Sequence, residues 1–286
     1  ENSPPARPEM EEKEQVTKLA TQQEEERAYR EVTLALRSGL RDAVAEFSFV
    51  REAALRSLYK FLTSVSRSDA DVSRFSRAQS DPELQLVPIL FKHSLLIEPE
   101  EKVDQVPDLF GQLFGQAPVK ITSPPSDSEI VIALRILGGC CLLHTDSSRI
   151  AYEWKALQVL MHLLSTRGDV VKCICLDALI SLLVHSTESL VDFEKCNGIE
   201  EVTTLLGDKQ ASEELRLKCG EFLLLLMAQV NGTKLSSMAG IHDHIKRVLG
   251  EKSASLIWAA SSTLDYEQGL NALHIQAQRV LESLEL

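Results

Sequence analysis

Cys196-Asn197-Gly198-Ile199, running into the apolar stretch Val202 to Leu206, is the passage on which the fold turns, because the same arrangement stands about 42 residues to either side of it. On the N-terminal side Trp154-Lys155-Ala156-Leu157 leads into Leu160 to Leu164, and on the C-terminal side Met238-Ala239-Gly240-Ile241 leads into Ile245 to Leu249. Each is preceded by the end of another apolar helix: Cys141-Leu142-Leu143-His144, Leu183-Val184-His185 and Leu226-Met227-Ala228. The helices that open the second and third units also superpose, with Cys173 over Cys219 and Leu176 over Phe222. Gly198 and Gly240 share one turn, where a left-handed or closely packed backbone favours glycine.

A period in the low forties fits armadillo and HEAT arrays, in which no unit buries its apolar face alone and stacking makes the core continuous. The fold predicted is all-α: an armadillo/HEAT-like α-solenoid of about three repeats over residues 128–286, with a long N-terminal helix and a C-terminal capping helix. A short apolar helix (Ala254 to Ala260) follows the third unit. The stripe Leu264, Leu270, Leu273, Ala277, Val280, Leu281 and Leu284 supplies the helix that closes the stack.

N-terminal to the repeats the pattern is less regular. Residues 1–26 combine three prolines with glutamate runs and read as a charged, disordered tail or frayed helix start. Residues 27–127 hold N-terminal helices with irregular loops. Val32, Leu36, Leu40, Val44, Phe47, Val50, Leu55, Leu58, Phe61 and Leu62 make a helical stripe, as one helix or two broken near Gly39. This stripe serves either docking within the chain or pairing with a partner helix. Residues 66–84, rich in Ser, Asp and Arg, read as a loop; Asp81-Pro82 then marks a helix start leading into Leu84 to Leu96. The proline-rich segment 97–127 reads as irregular, with a short helix around Leu109 to Phe114 and a candidate proline-directed phosphorylation site at Ser123-Pro124.

Composition narrows the function. Of 286 residues, 44% are hydrophobic and only 5% aromatic, which suits helices better than sandwiches or barrels. A net charge of −12 opposes nucleic acid or an anionic membrane as the main partner. The longest apolar run, Phe222 to Ala228, is too short to span a bilayer, and the charged start has no signal-peptide core. An intracellular, cytoplasmic protein without membrane insertion is expected.

No chemistry-bearing motif stands out. Phosphate-cradling glycine loops and a Gly-x-Ser-x-Gly elbow are lacking, so neither a nucleotide cofactor nor hydrolase activity is expected. The six cysteines (140, 141, 173, 175, 196 and 219) lie in apolar helical patterns and read as reduced core thiols. Cys173-x-Cys175 and His242-x-His244 place their side chains about 200° apart on a helix and do not chelate as pairs. His144 and His185, at equivalent helix ends, read as caps of last-turn carbonyls. What remains is surface: Lys172, Asp177, Arg216, Lys218 and Glu221 on the opening helices are the candidate protein-binding residues, with a plain solvated face as the alternative.

The stretch from Ile132 to Gly232 resembles a known family. The residues that carry this are Ala133-Leu134-Arg135-Ile136-Leu137, Leu142-Leu143-His144, Phe193-Glu194 with Asn197-Gly198-Ile199, Leu205-Leu206, and Leu215-Arg216-Leu217-Lys218-Cys219 with Glu221-Phe222-Leu223. They resemble the SIN-component family named after the fungal cell division control protein 14, and most of all its plant-type members. The phosphatase of similar name is a different protein, and its His-Cys-(x)5-Arg loop is not in this sequence. The resemblance implies a non-catalytic, armadillo-like scaffold that binds a Ste20-like protein kinase in a septation initiation network linking mitotic exit to cytokinesis, at the spindle pole or division site. The array alone would serve equally well in an armadillo-type module for a chaperone or cytoskeletal partner.

Overall fold

The computed structural model describes residues 8–96, 123–184, 186–232, 238–263 and 269–284, and among them the chain is helical with no strand. The N-terminal part comprises α1 (Pro8–Ala43), α2 (Ser48–Val65), α3 (Asp69–Gln79), a 3-10 turn (Pro82–Leu84) and α4 (Leu86–His93). The remainder comprises α5 (Asp127–Leu143), α6 (Thr145–Glu153), α7 (Ala156–Thr166), α8 (Asp169–Leu183), α9 (Thr187–Lys195), α10 (Gly198–Gly207), α11 (Glu213–Gly232), α12 (Met238–Thr263) and α13 (Gly269–Leu284).

The N-terminal half decides between some of the sequence expectations and departs from others. Helix α1 already begins at Pro8, so of the two readings of the first 26 residues the described ones take the helix start and not the disordered tail, with the side chains from Thr17 to Arg27 all exposed. Its break from α2 falls at residues 44–47, not near Gly39. Gly39 is instead a point of close approach, since a Cβ there would lie 2.4 Å from Cδ2 of Leu58 on α2. The segment 66–84, expected as a loop, folds mostly into α3 and the 3-10 turn. Ser68 caps α3 by accepting from the Asp71 amide, and the helix buries Phe75, Ala78 and Gln79. Asp81 is an N-cap as expected, accepting from the Glu83 amide at 3.0 Å, but it opens only the short turn before α4. The short helix expected around Leu109 to Phe114 lies outside the described residues.

The corner between α1 and α2 is closed by a buried ion pair. Arg51 and Glu129 are both fully buried, with Nε of Arg51 2.7 Å from Oε1 of Glu129. Arg51 uses all five of its N–H donors: two on Glu129, and one each on the carbonyls of Ala45, Glu46 and Ser123, with the last pair made through separate nitrogens. Glu129 also accepts from the hydroxyls of Ser48 (2.6 Å) and Ser94 (2.7 Å). A charge taken out of water is tolerated only when its hydrogen-bonding capacity is filled in this way.

Two helix triplets follow, α6–α8 and α9–α11, with the same backbone at their inner turns. The residue before α7, Lys155, and the residue before α10, Asn197, both have left-handed backbone, φ 55° and 58°. The glycine after Asn197 answers to close packing: a Cβ on Gly198 would lie 2.1 Å from the Phe193 ring. The corresponding position of the third unit, around Gly240, has no described side chains. Within α12 the backbone of Gly250 is not helical (φ 83°), so this span holds two helices meeting at a kink, in line with the separate apolar helices expected on either side of it. Helix α13 buries Leu273, Ala277, Val280 and Leu281 as its stripe predicted, and it packs on α11 and α12. Leu264 and the side chain of Leu270 lie outside the described residues.

Candidate protein-interaction face

Five helices pack side by side in the order α2, α5, α8, α11, α13, each against the next. The central three are apolar on most of their circumference, and each therefore leaves solvent only one stripe. On α5 that stripe is Ser128, Val131, Arg135, Gly139 and Leu142; on α8 it is Val170, Ile174 and Asp177, continued by Val184 just past its end; on α11 it is Glu214, Leu217, Lys218, Glu221 and Leu225. Leu142 in the last turn of α5 and Val184, the C-cap residue of α8, are both exposed, 57% and 42%.

Polar contacts bridge the stripes. Between α2 and α5, Ser128 donates to Glu52 (2.9 Å) and receives from Arg56 (3.0 Å), and the Arg135 guanidinium lies 5.8 Å over the Tyr59 ring. Between α8 and α11, Nζ of Lys218 is 3.2 Å from Asp177 and 2.8 Å from Glu221. Between α11 and α13, Glu221 meets Nδ1 of His274 at 3.3 Å. Burial acts to lower the Lys218 pKa, but the hydrogen bond its ammonium donates to Glu221 and the charge of Asp177 outweigh it; the net shift is upward and the ammonium stays charged.

Of the five residues singled out from sequence, the structure brings together Asp177, Lys218 and Glu221. Lys172 is half-buried on the same helix as Asp177. Arg216 is buried, 8% exposed, and its Nε donates to the Leu206 carbonyl at 3.1 Å, closing the C-terminal end of α10. The α2 and α5 contributions and His274 were not picked out in the sequence. Neither α2 nor α13 shares the 42-residue period that drew attention to α8 and α11.

The other candidate groups are placed by burial. All six cysteines are free; five are buried, whereas Cys196 at the end of α9 is exposed, contrary to its expected place in the core. Burial pushes the thiols of Cys141 and Cys173 up to about 11 and that of Cys219 to about 12, and raises Cys140 and Cys175 as well, so they are protonated at neutral pH and poor nucleophiles. His144 does not cap a carbonyl with its ring: Nδ1 meets the Ser147 hydroxyl at 2.9 Å, and burial lowers its pKa towards the neutral form. His185 and the side chains of His242 and His244 lie outside the described residues. Among the described residues no group of three or more His, Cys, Asp or Glu is placed to hold a metal ion, and no helix is long and apolar enough to cross a membrane. An open cleft of about 290 Å³ between α6 and α9 is lined by Tyr152, Glu188, Val191, Asp192 and Lys195.

Compared with known proteins, residues 116–280 match the family model described as cell division control protein 14, SIN component. No curated protein and no solved structure matches the chain.

Proposed function

Because the chain belongs to the family of cell division control protein 14, SIN component, we propose that it serves cell-division signalling as a non-catalytic, armadillo-like scaffold that binds a Ste20-like protein kinase. The observation that carries this reading is the row of five helices, α2, α5, α8, α11 and α13, each offering one partly exposed stripe to a common partner. Stacked helical units bind extended or helical segments along such a row. The left-handed residue repeated at Lys155 and Asn197 supports the armadillo-like arrangement of the two triplets. The protonated, buried thiols favour a binding role over thiol chemistry.

Within the row, Asp177, Lys218 and Glu221 form a charged centre that His274 adjoins, and the exposed Leu142 and Val184 give it an apolar edge. A partner segment with alternating apolar and charged side chains suits that surface. The test is affinity purification with mass spectrometry from dividing cells, comparing the wild-type chain with Lys218→Glu/Glu221→Lys, after circular dichroism has established equal helicity. A Ste20-like kinase captured by the wild type and lost from the variant supports the proposal. Equal capture removes this surface from consideration, and a chaperone or tubulin without a kinase overturns the kinase assignment.

A further inference from the structure

Three residues before a second tie from Ser126 to Ser48 and Glu52, Ser123 fastens the chain entering α5 to the corner between α1 and α2. Its backbone N–H donates to the Glu46 carbonyl (3.3 Å), its carbonyl accepts from the Arg51 guanidinium (3.0 Å), and its hydroxyl oxygen accepts from the Ser48 amide (2.7 Å) at the start of α2. That helix has no side-chain cap from its own N-cap residue, Phe47, so Ser123 supplies the missing acceptor. Residues 123–126 are nonetheless not helical, Ser123 is only half-buried, and Pro124 directly after it is exposed. A non-helical Ser-Pro at the surface is the kind of segment that a proline-directed kinase takes as its substrate.

We infer that Ser123 is a phosphorylation site for a proline-directed protein kinase, and that the phosphate opens the clasp between the α1–α2 corner and α5. The step transfers the γ-phosphoryl group of ATP to Oγ of Ser123: the bond to the ADP oxygen breaks, the Oγ–P bond forms, and the hydroxyl proton is released. The product carries close to two negative charges and three further acceptor oxygens. The guanidinium that holds the Ser123 carbonyl has no donor to give them, because all five N–H groups of Arg51 are already engaged. The Ser48 hydroxyl is likewise spent on Glu129.

The start of α2 would favour an anion. To profit from it the phosphate must displace Glu129 from Arg51 and Ser48, which leaves a fully buried carboxylate unpaired. Glu52, which accepts from Ser126 and Ser128 beside this strap, adds like charge. The phosphate is therefore expelled together with the strap, and α2 loses its cap.

The experiment phosphorylates the purified full chain with ATP and a cyclin-dependent kinase active on a peptide standard, maps the site by mass spectrometry, and follows melting temperature and amide hydrogen exchange. The control is Pro124→Ala, which removes the proline direction while leaving every hydrogen bond of Ser123 in place. The expected result is a phosphate on Ser123 of the wild type and none there in Pro124→Ala, with the modified chain melting several degrees lower and the Ser48 amide exchanging at least tenfold faster. Absence of phosphate on Ser123 overturns the site. Phosphate on Ser123 with unchanged melting and exchange overturns the opening of the clasp.

Discussion

The triplets α6–α8 and α9–α11 share a backbone and fill it differently. In the first, Ala151 on α6 and Ala156 at the start of α7 are both fully buried. At the equivalent places in the second, 42 residues on, stand Phe193 and Gly198. Two methyl groups in one triplet become one ring and no side chain in the other. The ring uses the space: it lies edge-on to Phe222, with centroids 5.7 Å apart. The repeat therefore lives in backbone and summed volume more than in residue identity, which is why the backbone matches closely at positions where the sequences differ.

The largest effect is expected of Phe193→Ala, which empties the second triplet without giving it the first triplet's second methyl. The expected loss is about 3–5 kcal/mol, the usual cost of deleting a buried aromatic ring. Chemical denaturation reads it as a lower midpoint at an unchanged slope; a loss below about 1 kcal/mol would mean the site collapses and the ring is not central to the triplet.

Gly198→Ala is the next largest. Its Cβ meets the ring well inside contact distance, and the overpacking should cost about 1–3 kcal/mol. The sharper experiment is the double variant Phe193→Ala/Gly198→Ala, which rebuilds the alanine pair of the first triplet. There the added methyl should stabilise relative to Phe193→Ala alone, so the two costs are strongly non-additive. Additive costs would show that ring and glycine do not share one space.

Legibility in the sequence followed the same division between backbone and filling. The inner turns of the triplets were readable because Trp154-Lys155-Ala156 and Cys196-Asn197-Gly198 keep their spacing from the apolar run that follows. Helix α3 was not, because Val72, Phe75 and Ala78 are a sparse stripe in a polar segment that resembles a turn region; the one local signal was Ser68 three residues before Asp71, the spacing of a capping box. The Arg51–Glu129 pair was hidden for another reason. Each residue alone looks like an ordinary surface charge on an amphipathic helix, and only the folded corner brings them together across 78 positions. On the interaction face, Asp177 and Lys218 were found because both lie on repeated helices. Arg216 was grouped with them by charge, although its position on α11 turns it inward against the Leu206 carbonyl.

A smaller effect tests the left-handed residue that the triplets share. Asn tolerates that conformation through local hydrogen bonding, whereas a lysine there carries a strain of order 1 kcal/mol. Lys155→Asn copies the second triplet into the first and should stabilise by about 0.5–1 kcal/mol, visible as a higher melting temperature. A loss of stability would show that the side chain of Lys155 has contacts worth more than the strain.

The smallest effect concerns the contact that joins the triplets at the surface. The Tyr152 hydroxyl donates to Oδ2 of Asp192 at 2.8 Å, and Lys195 holds the other oxygen at 2.9 Å. Hydrogen bonding to Lys195 and then Tyr152 keeps the Asp192 carboxyl below its ordinary value, so its contribution is present above the unfolded pKa, near 4, and lost as pH falls through the folded one. The bond to Asp192 raises the Tyr152 phenol, so that contribution is present below the unfolded value, near 10, and lost as pH rises through the folded one. Tyr152→Phe should therefore lower the melting temperature slightly and by a constant amount across neutral pH, with the difference from wild type shrinking at both extremes. A difference that stayed constant at both extremes would mean the tyrosine ring packs between the triplets and the hydrogen bond contributes nothing.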